Sequence, residues 1–210
     1  MKNEIMVKSF LLLDQVCEKN RGRRMVETID LVDYEKTHAK FVHSWVLKLN
    51  DNASSALQIA ALFHDVDRII HPDLAYGFKG SRASKEYYQY KKDHATRSAE
   101  FICPQLENIG LHPQEIKEVT FLITHHDDTG EEVTALKNKK LNIIVAADSL
   151  AFFDSVAQKI LNSEGKDRVR DKMYFMIEKM PIFARKILKK ITLTNPILEE
   201  IKKEILNKLP

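Results

Sequence analysis

The sequence predicts an all-α protein, and three observations carry that expectation. Apolar residues recur at helical spacing in segment after segment. No stretch shows the two-residue alternation of a half-buried strand, and glycine is scarce, with 6 in 210 residues. A hydrophobic content of 44% leaves enough apolar surface for a substantial core, so the chain is neither a disordered tract nor a chain too small to bury one.

From the start, Glu4 to Lys19 sets Ile5, Phe10, Leu11, Leu13 and Val16 at roughly helical spacing, and Asn20 to Arg24 breaks the pattern as a basic turn. The opening MKNEIMVKSFLLLDQV carries Glu4 and Asp14 and lacks a small-residue cleavage site, so it reads as an amphipathic helix, not a signal peptide. A helical region follows from about Met25 to Leu49, with an interruption expected near Asp33. Asn50 to Ser55 is a turn with ready caps, and the next helix runs to about Ile70. His71 to Arg82 (HPDLAYGFKGSR) is the most loop-like stretch. Ser84 to Ile109 returns to helix, with Pro104 expected to kink or split it and Gly110 to stop it. Pro113 suits the first turn of a helix ending in ITHHDD. Thr129 to Thr134 reads as a short polar connection, Leu141 to Leu161 as an apolar helix containing AADSL, and Asn162 to Lys166 as a linker. Two or three lysine-rich amphipathic helices complete the chain, one interrupted at Pro181 and the last begun by Asn195 and Pro196.

Composition narrows the partners. The formal net charge of +3 is too small to argue for nucleic acid, which is not expected, and it does not oppose a phosphorylated substrate. No apolar run approaches the length of a membrane span, so no membrane partner is expected. Cys17 and Cys103 lack metal-type spacing and read as reduced thiols of a cytoplasmic protein. Amphipathic helices at both ends keep a homodimer open.

The chemistry-bearing residues form an ordered series. The stretch ALQIAALFHDVD, Ala56 to Asp67, is an apolar helix that delivers His64 and Asp65 at its end, with Asp67 and Arg68 just beyond. His43 lies upstream, His94 inside a later helix, His125 and His126 at the end of another, and Asp148 on a fifth. Nitrogen and oxygen ligands from separate helices are how a helical bundle builds a metal site, and the absence of thiolates suits a catalytic divalent ion better than a closed structural zinc. His38, His71 and His112 read as surface or helix-end residues, with His38 the rival of His43. Lys79, Arg82 and Lys91 read as solvated charges before phosphate contacts, the Met173, Phe175, Met176, Ile177 and Met180 group as core, and the C-terminal lysines as solvated surface.

Five stretches in this order, HSWV at His43, AALFHDVDR at Ala60, HATRSA at His94, ITHH at Ile123 and AADSL at Ala146, resemble the HD-domain metal-dependent phosphohydrolase superfamily. The likeness spans about residues 38 to 160, and the part from His43 through His94 is similar to a bacterial branch of it. It implies an HD-type helical domain over residues 1–163, with residues 164–210 as a C-terminal helical appendage packed on it. It implies His43, His64, Asp65 and Asp148 as ligands of a primary ion, and His94 with His125 or His126 as ligands of a second that Asp65 bridges. The cofactor implied is one or two divalent ions, Mn, Fe, Co, Ni, Zn or Mg. Many members continue the His-Asp pair with Gly-Lys or an acidic residue; here Asp67 stands either as the general acid or base, with His94 the alternative if the second metal is absent, or as a cap or partner of a neighbouring base, and Arg68 stands as the phosphate-side cation. Arg68, Lys79, Arg82 and Lys91 are the expected substrate contacts, under a loop at Gly77 to Gly80 expected to act as a mobile cover. The expected activity is hydrolysis of a small phosphorylated substrate, a nucleotide first, by a metal-activated hydroxide. Two alternatives stand beside it: an HD-type diiron oxygenase, and a catalytically inactive metal- or ligand-binding sensor.

Overall fold

In a computed structural model of the chain, which describes residues 2–23, 25–26, 29–75, 78, 80 and 84–209, helices begin where the sequence offers caps. The first helix, α1 (Lys2–Asn20), is followed by a two-stranded antiparallel hairpin, β1 (Met25–Val26) and β2 (Ile29–Asp30), where the sequence suggests helix. Helix α2 (Leu31–Leu49) starts only at Asp30, whose side chain accepts from the Val32 amide, and it runs through Asp33 without interruption. The acidic side chain that looks like a breaker sits in the first turn, where a negative charge complements the helix dipole.

Ser54 caps α3 (Ser55–Phe63), and every residue of that helix is buried. Leu57, Ile59, Leu62 and Phe63 are at most 1% exposed, each worth roughly 1.5–3 kcal/mol of burial. Helix α3 packs against α1, α2, a later helix α7 (Pro113–His125) and α9 (Lys139–Ser155). It does not continue to Ile70: the chain turns at His64 and Asp65 and restarts as α4 (Val66–Ile70). A short helix α5 (Pro72–Ala75) follows inside the stretch expected to be loop. Gly77, Lys79 and Arg82 lie outside the described residues, and so does half of the expected cover.

Ser84 caps α6 (Lys85–Asn108), which absorbs Pro104 without splitting; Gly110, at φ 91°, ends the segment as expected. His112 caps α7 in a reciprocal capping box with Glu115. The polar connection after it is in fact helix α8 (Gly130–Ala135), begun by a second box between Thr129 and Glu132. Beyond α9 come α10 (Ala157–Glu164), α11 (Lys166–Lys179), α12 (Ile182–Lys190) and α13 (Pro196–Lys208), the last capped by Asn195.

The fold is all-α apart from that hairpin. Helix α9 is the shared wall: Leu141, Ile144, Val145 and Ala151 face the core built on α3, while Ala146, Leu150, Phe152 and Phe153 face a second core with α11, α12 and α13. A helix apolar all round is one buried on both sides. Met173, Phe175, Met176, Ile177 and Met180 fill this second core. Among the described residues, no helix is long and apolar enough to cross a membrane.

Candidate metal centre

The turn between α3 and α4 carries His64 and Asp65 into a space bounded by α2, α6, α7, α9 and α11. Asp65 is the hub. Its Oδ1 lies 2.6 Å from His94 Nε2 and 3.4 Å from His126 Nε2, its Oδ2 2.8 Å from Arg68 Nε and 3.7 Å from His64 Nε2. Asp148 on α9 places Oδ1 3.1 Å from His38 Nε2 and 3.6 Å from His64 Nε2. The rings follow one another: His38 to His64 is 5.4 Å between centroids, and His64 to His126 is 5.0 Å.

The far side of each ring explains which atom faces inward. His64 Nδ1 donates to the Ala61 carbonyl at 3.0 Å, and His126 Nδ1 to the Ile123 carbonyl at 2.6 Å. His94 Nδ1 donates to Asp67 Oδ2 at 3.0 Å, and His38 Nδ1 lies 3.3 Å from Ser155 Oγ. Nδ1 partners of this kind fix the tautomer and turn the Nε2 lone pair toward the centre, the arrangement used by metal-ligating histidines. Lone pairs of imidazole and carboxylate then face each other at short range, which is repulsive unless a proton or a cation lies between. The buried His64 Nε2 has no hydrogen-bond partner among the described residues. Three groups, Asp65 with His94, His126 and Asp127, His38 with His64 and Asp65, and His64 with His126 and Asp148, each have ligand atoms within 4.8 Å of one another. These buried groups can hold a metal ion.

The carboxylates are ionised. Burial opposes the charge on Asp65, Asp127 and Asp148, but Arg68 beside the first and Lys179 beside the other two hold all three well below the usual carboxylate range. Burial likewise disfavours a charged His126, yet Asp127 and Asp65 raise it to about 9. Among the described residues, every carboxylate of the cluster has a permanent cation: Asp65 has Arg68, Asp67 has Arg97, Asp127 has Lys91 and Asp148 has Lys179.

Most of the expected ligand residues meet here, and two do not. His64, Asp65, His94, His126 and Asp148 converge. His43, expected in the primary set, instead places Nε2 3.1 Å from Gln58 Oε1 with its ring edge on Phe10. His38 occupies that place, because five residues rotate a helix by about 140° and only one of the two can face inward. His125 points away as well, with Nδ1 2.7 Å from Asp128, which leaves His126 as the inward member of the pair. Asp67, expected as the general acid or base, is fully buried: it takes Arg97 Nε and Nη2 at 2.9 and 2.8 Å, His94 Nδ1 at 3.0 Å and His71 Nδ1 at 2.9 Å. A carboxylate so occupied orients His94 and does not reach a substrate.

A cleft with room for about 50 Å³ opens beside the centre, lined by Arg68, Lys91 and Lys172 and by Tyr34, Phe152 and Met176. Arg68 and Lys91 thus line the cleft, but Lys91 is a buried partner of Asp127, not a solvated charge. Lys79 and Arg82 lie outside the described residues. Asp127, Lys172 and Lys179 escaped the sequence reading as site residues. Asp127 was visible as half of a second His-Asp pair; the lysines of α11 carry no local signal, since only packing brings them here. No curated protein and no solved structure matches the chain. It belongs to the family described as a domain of unknown function, DUF4202, whose profile matches residues 9–201.

Proposed function

We propose that this protein is an HD-type, metal-dependent phosphohydrolase acting on a small phosphorylated molecule, a nucleotide first among them. The observation that carries the reading is the convergence of four Nε2 atoms, from His38, His64, His94 and His126, on the carboxylates of Asp65 and Asp148. With His38 in place of His43, that set keeps the order in which the resemblance distributes ligands. A divalent ion held there supplies Lewis acidity, lowering the pKa of water in its shell and polarising a phosphoryl oxygen.

The chain's own groups do the rest. Asp67, clamped by Arg97, fixes the ring of His94. Arg68 holds Asp65 through Nε and lines the cleft, where its guanidinium is placed to take a phosphoryl oxygen, with Lys172 as a second cation. Because the carboxylates are already matched by cations, each divalent ion adds positive charge that an anionic substrate offsets. Room for about 50 Å³ exceeds the roughly 10–15 Å³ that one water needs and admits a phosphoryl group, with Tyr34 and Phe152 on the wall to meet the remainder of a substrate.

Asp65 belongs to two donor groups, which favours two ions and sustains the diiron oxygenase as the second reading. Elemental analysis of the purified protein, then a phosphate-release screen of phosphorylated metabolites with manganese, zinc or iron, tests both. Phosphate release without dioxygen, lost in His64→Ala and Asp65→Ala, is the expected result. Dioxygen uptake by iron-loaded protein without phosphate release selects the oxygenase, and a protein that binds no divalent ion refutes the whole reading.

A further inference from the structure

Helix α11 carries Lys179 from the C-terminal helices into the acidic end of the centre. Its side chain is fully buried, with Nζ 2.7 Å from Asp127 Oδ1, 2.6 Å from Asp148 Oδ2 and 3.4 Å from the His126 carbonyl oxygen. Lys91, from α6, is also buried and closes on the other oxygen of Asp127, Oδ2, which faces the centre 3.3 Å from His126 Nε2. These contacts sort the carboxylates. Asp148 commits one oxygen to Lys179 and turns only Oδ1 toward His38 and His64. Asp127 carries an ammonium at each oxygen, although its ligand atom lies in one 4.8 Å group with those of Asp65, His94 and His126. An ammonium with oxygens from three residues around it fills a cation site that the protein has built for itself.

We propose that Lys179 is a built-in counter-cation that occupies Oδ1 of Asp127 and Oδ2 of Asp148, so that with Lys91 on the other oxygen of Asp127 it keeps that carboxylate from divalent ions and leaves Asp148 one coordinating oxygen, thereby setting how many ions the centre takes and of which class. This rests on the metal-centre reading above. A divalent ion at Asp127 would face two buried ammonium groups in a medium that screens them poorly. What remains for metal is four imidazoles with Asp65 and a single oxygen of Asp148. That nitrogen-rich set suits iron, cobalt, nickel or zinc, whereas magnesium takes oxygen ligands and water. Taking the ammonium away frees oxygens of both carboxylates for a hard ion.

Bound ions are counted by elemental analysis, and affinities for manganese, zinc and magnesium are measured by calorimetric titration, on the full chain. The variants are Lys179→Met, Lys179→Arg and Asp127→Asn. Lys179→Met is expected to hold one more divalent ion than the wild type and to bind magnesium at least tenfold more tightly. Lys179→Arg, which keeps the charge, holds the wild-type number. Asp127→Asn also holds it, because Asp127 serves no ion. Unchanged ion number and magnesium affinity in Lys179→Met, or an ion lost from Asp127→Asn, overturns the proposal. If circular dichroism shows Lys179→Met unfolded, Asp127→Asn decides by the same criterion. A wild type that binds no ion overturns the metal-centre reading along with this one, whereas ions bound alike by wild type and Lys179→Met overturn this one alone.

Discussion

Replacing His38 with alanine removes an imidazole whose Nε2 lies 3.1 Å from Asp148 Oδ1 and whose ring centre is 5.4 Å from that of His64. Replacing His43, on the same helix, removes a 3.1 Å contact to Gln58 and an edge against Phe10. The two substitutions delete the same atoms, so any difference between them reports on position. Loss of an outer-shell partner of a metal ligand costs about 10–100-fold in affinity. His38→Ala, which removes a ligand itself, is expected to exceed that range, a loss of more than roughly 1.4–2.7 kcal/mol. His43→Ala gives up one half-buried hydrogen bond, roughly 0.5–1.5 kcal/mol of stability, and leaves ion affinity within about twofold. Competition between the protein and a chelating dye for zinc or manganese measures the affinities. Melts of the ion-free variants, in which about 1 kcal/mol moves Tm by roughly 2–4 °C for a chain of this size, separate folding from binding. Equal loss of affinity in both variants, or a loss confined to His43→Ala, would refute the placement of His38 at the centre.

Asp67→Asn turns a hydrogen-bond donor toward Arg97, whose side chain is 28% exposed, and loosens His94. Roughly 1–3 kcal/mol of stability, discounted for that exposure, and about 10–100-fold in ion affinity should be lost; denaturant melts with dye competition check both, and unchanged affinity would return Asp67 to the role of a mere structural pair. In the ion-free protein His126 stays protonated until about pH 9, so an ion that takes Nε2 must displace a proton. Ion affinity should therefore rise with pH and level off above about 9, with the released proton counted by calorimetry in two buffers; a flat profile between pH 7 and 10 would contradict it. The same raised pKa stabilises the ion-free fold fully below the unfolded value near 6.5 and loses that contribution as pH climbs through about 9.

The helices were legible where periodicity and caps agree, as in the run from Ser54 to Phe63, and the order of the His-Asp series already pointed to the turn at His64 and Asp65 around which the buried groups gather. Boundaries failed where a short local signal competed with a longer pattern. Thr129 and Glu132 form a capping box that reads as a polar connection, and Val26 and Ile29 fit an apolar helical pattern yet pair as two short antiparallel strands. The choice between His38 and His43 was decidable in principle. Val32, Glu35, Ala39, Val42 and Val46 mark the buried face of α2, and His38 lies on it while His43 does not. Lys179 was not decidable, because its meaning comes from carboxylates that lie tens of residues earlier in the chain and reach it only through the packing of α11 on α9.

That last contact orders events in time as well as space. Translation runs from the amino end. All the histidines and aspartates of the centre leave the ribosome before Lys179 does. A nascent chain therefore exposes a full set of chelating groups while its acidic corner still lacks the lysine that closes it. The packing of α11 on α9 is what closes that corner, and Lys179 is the last of these groups to be made.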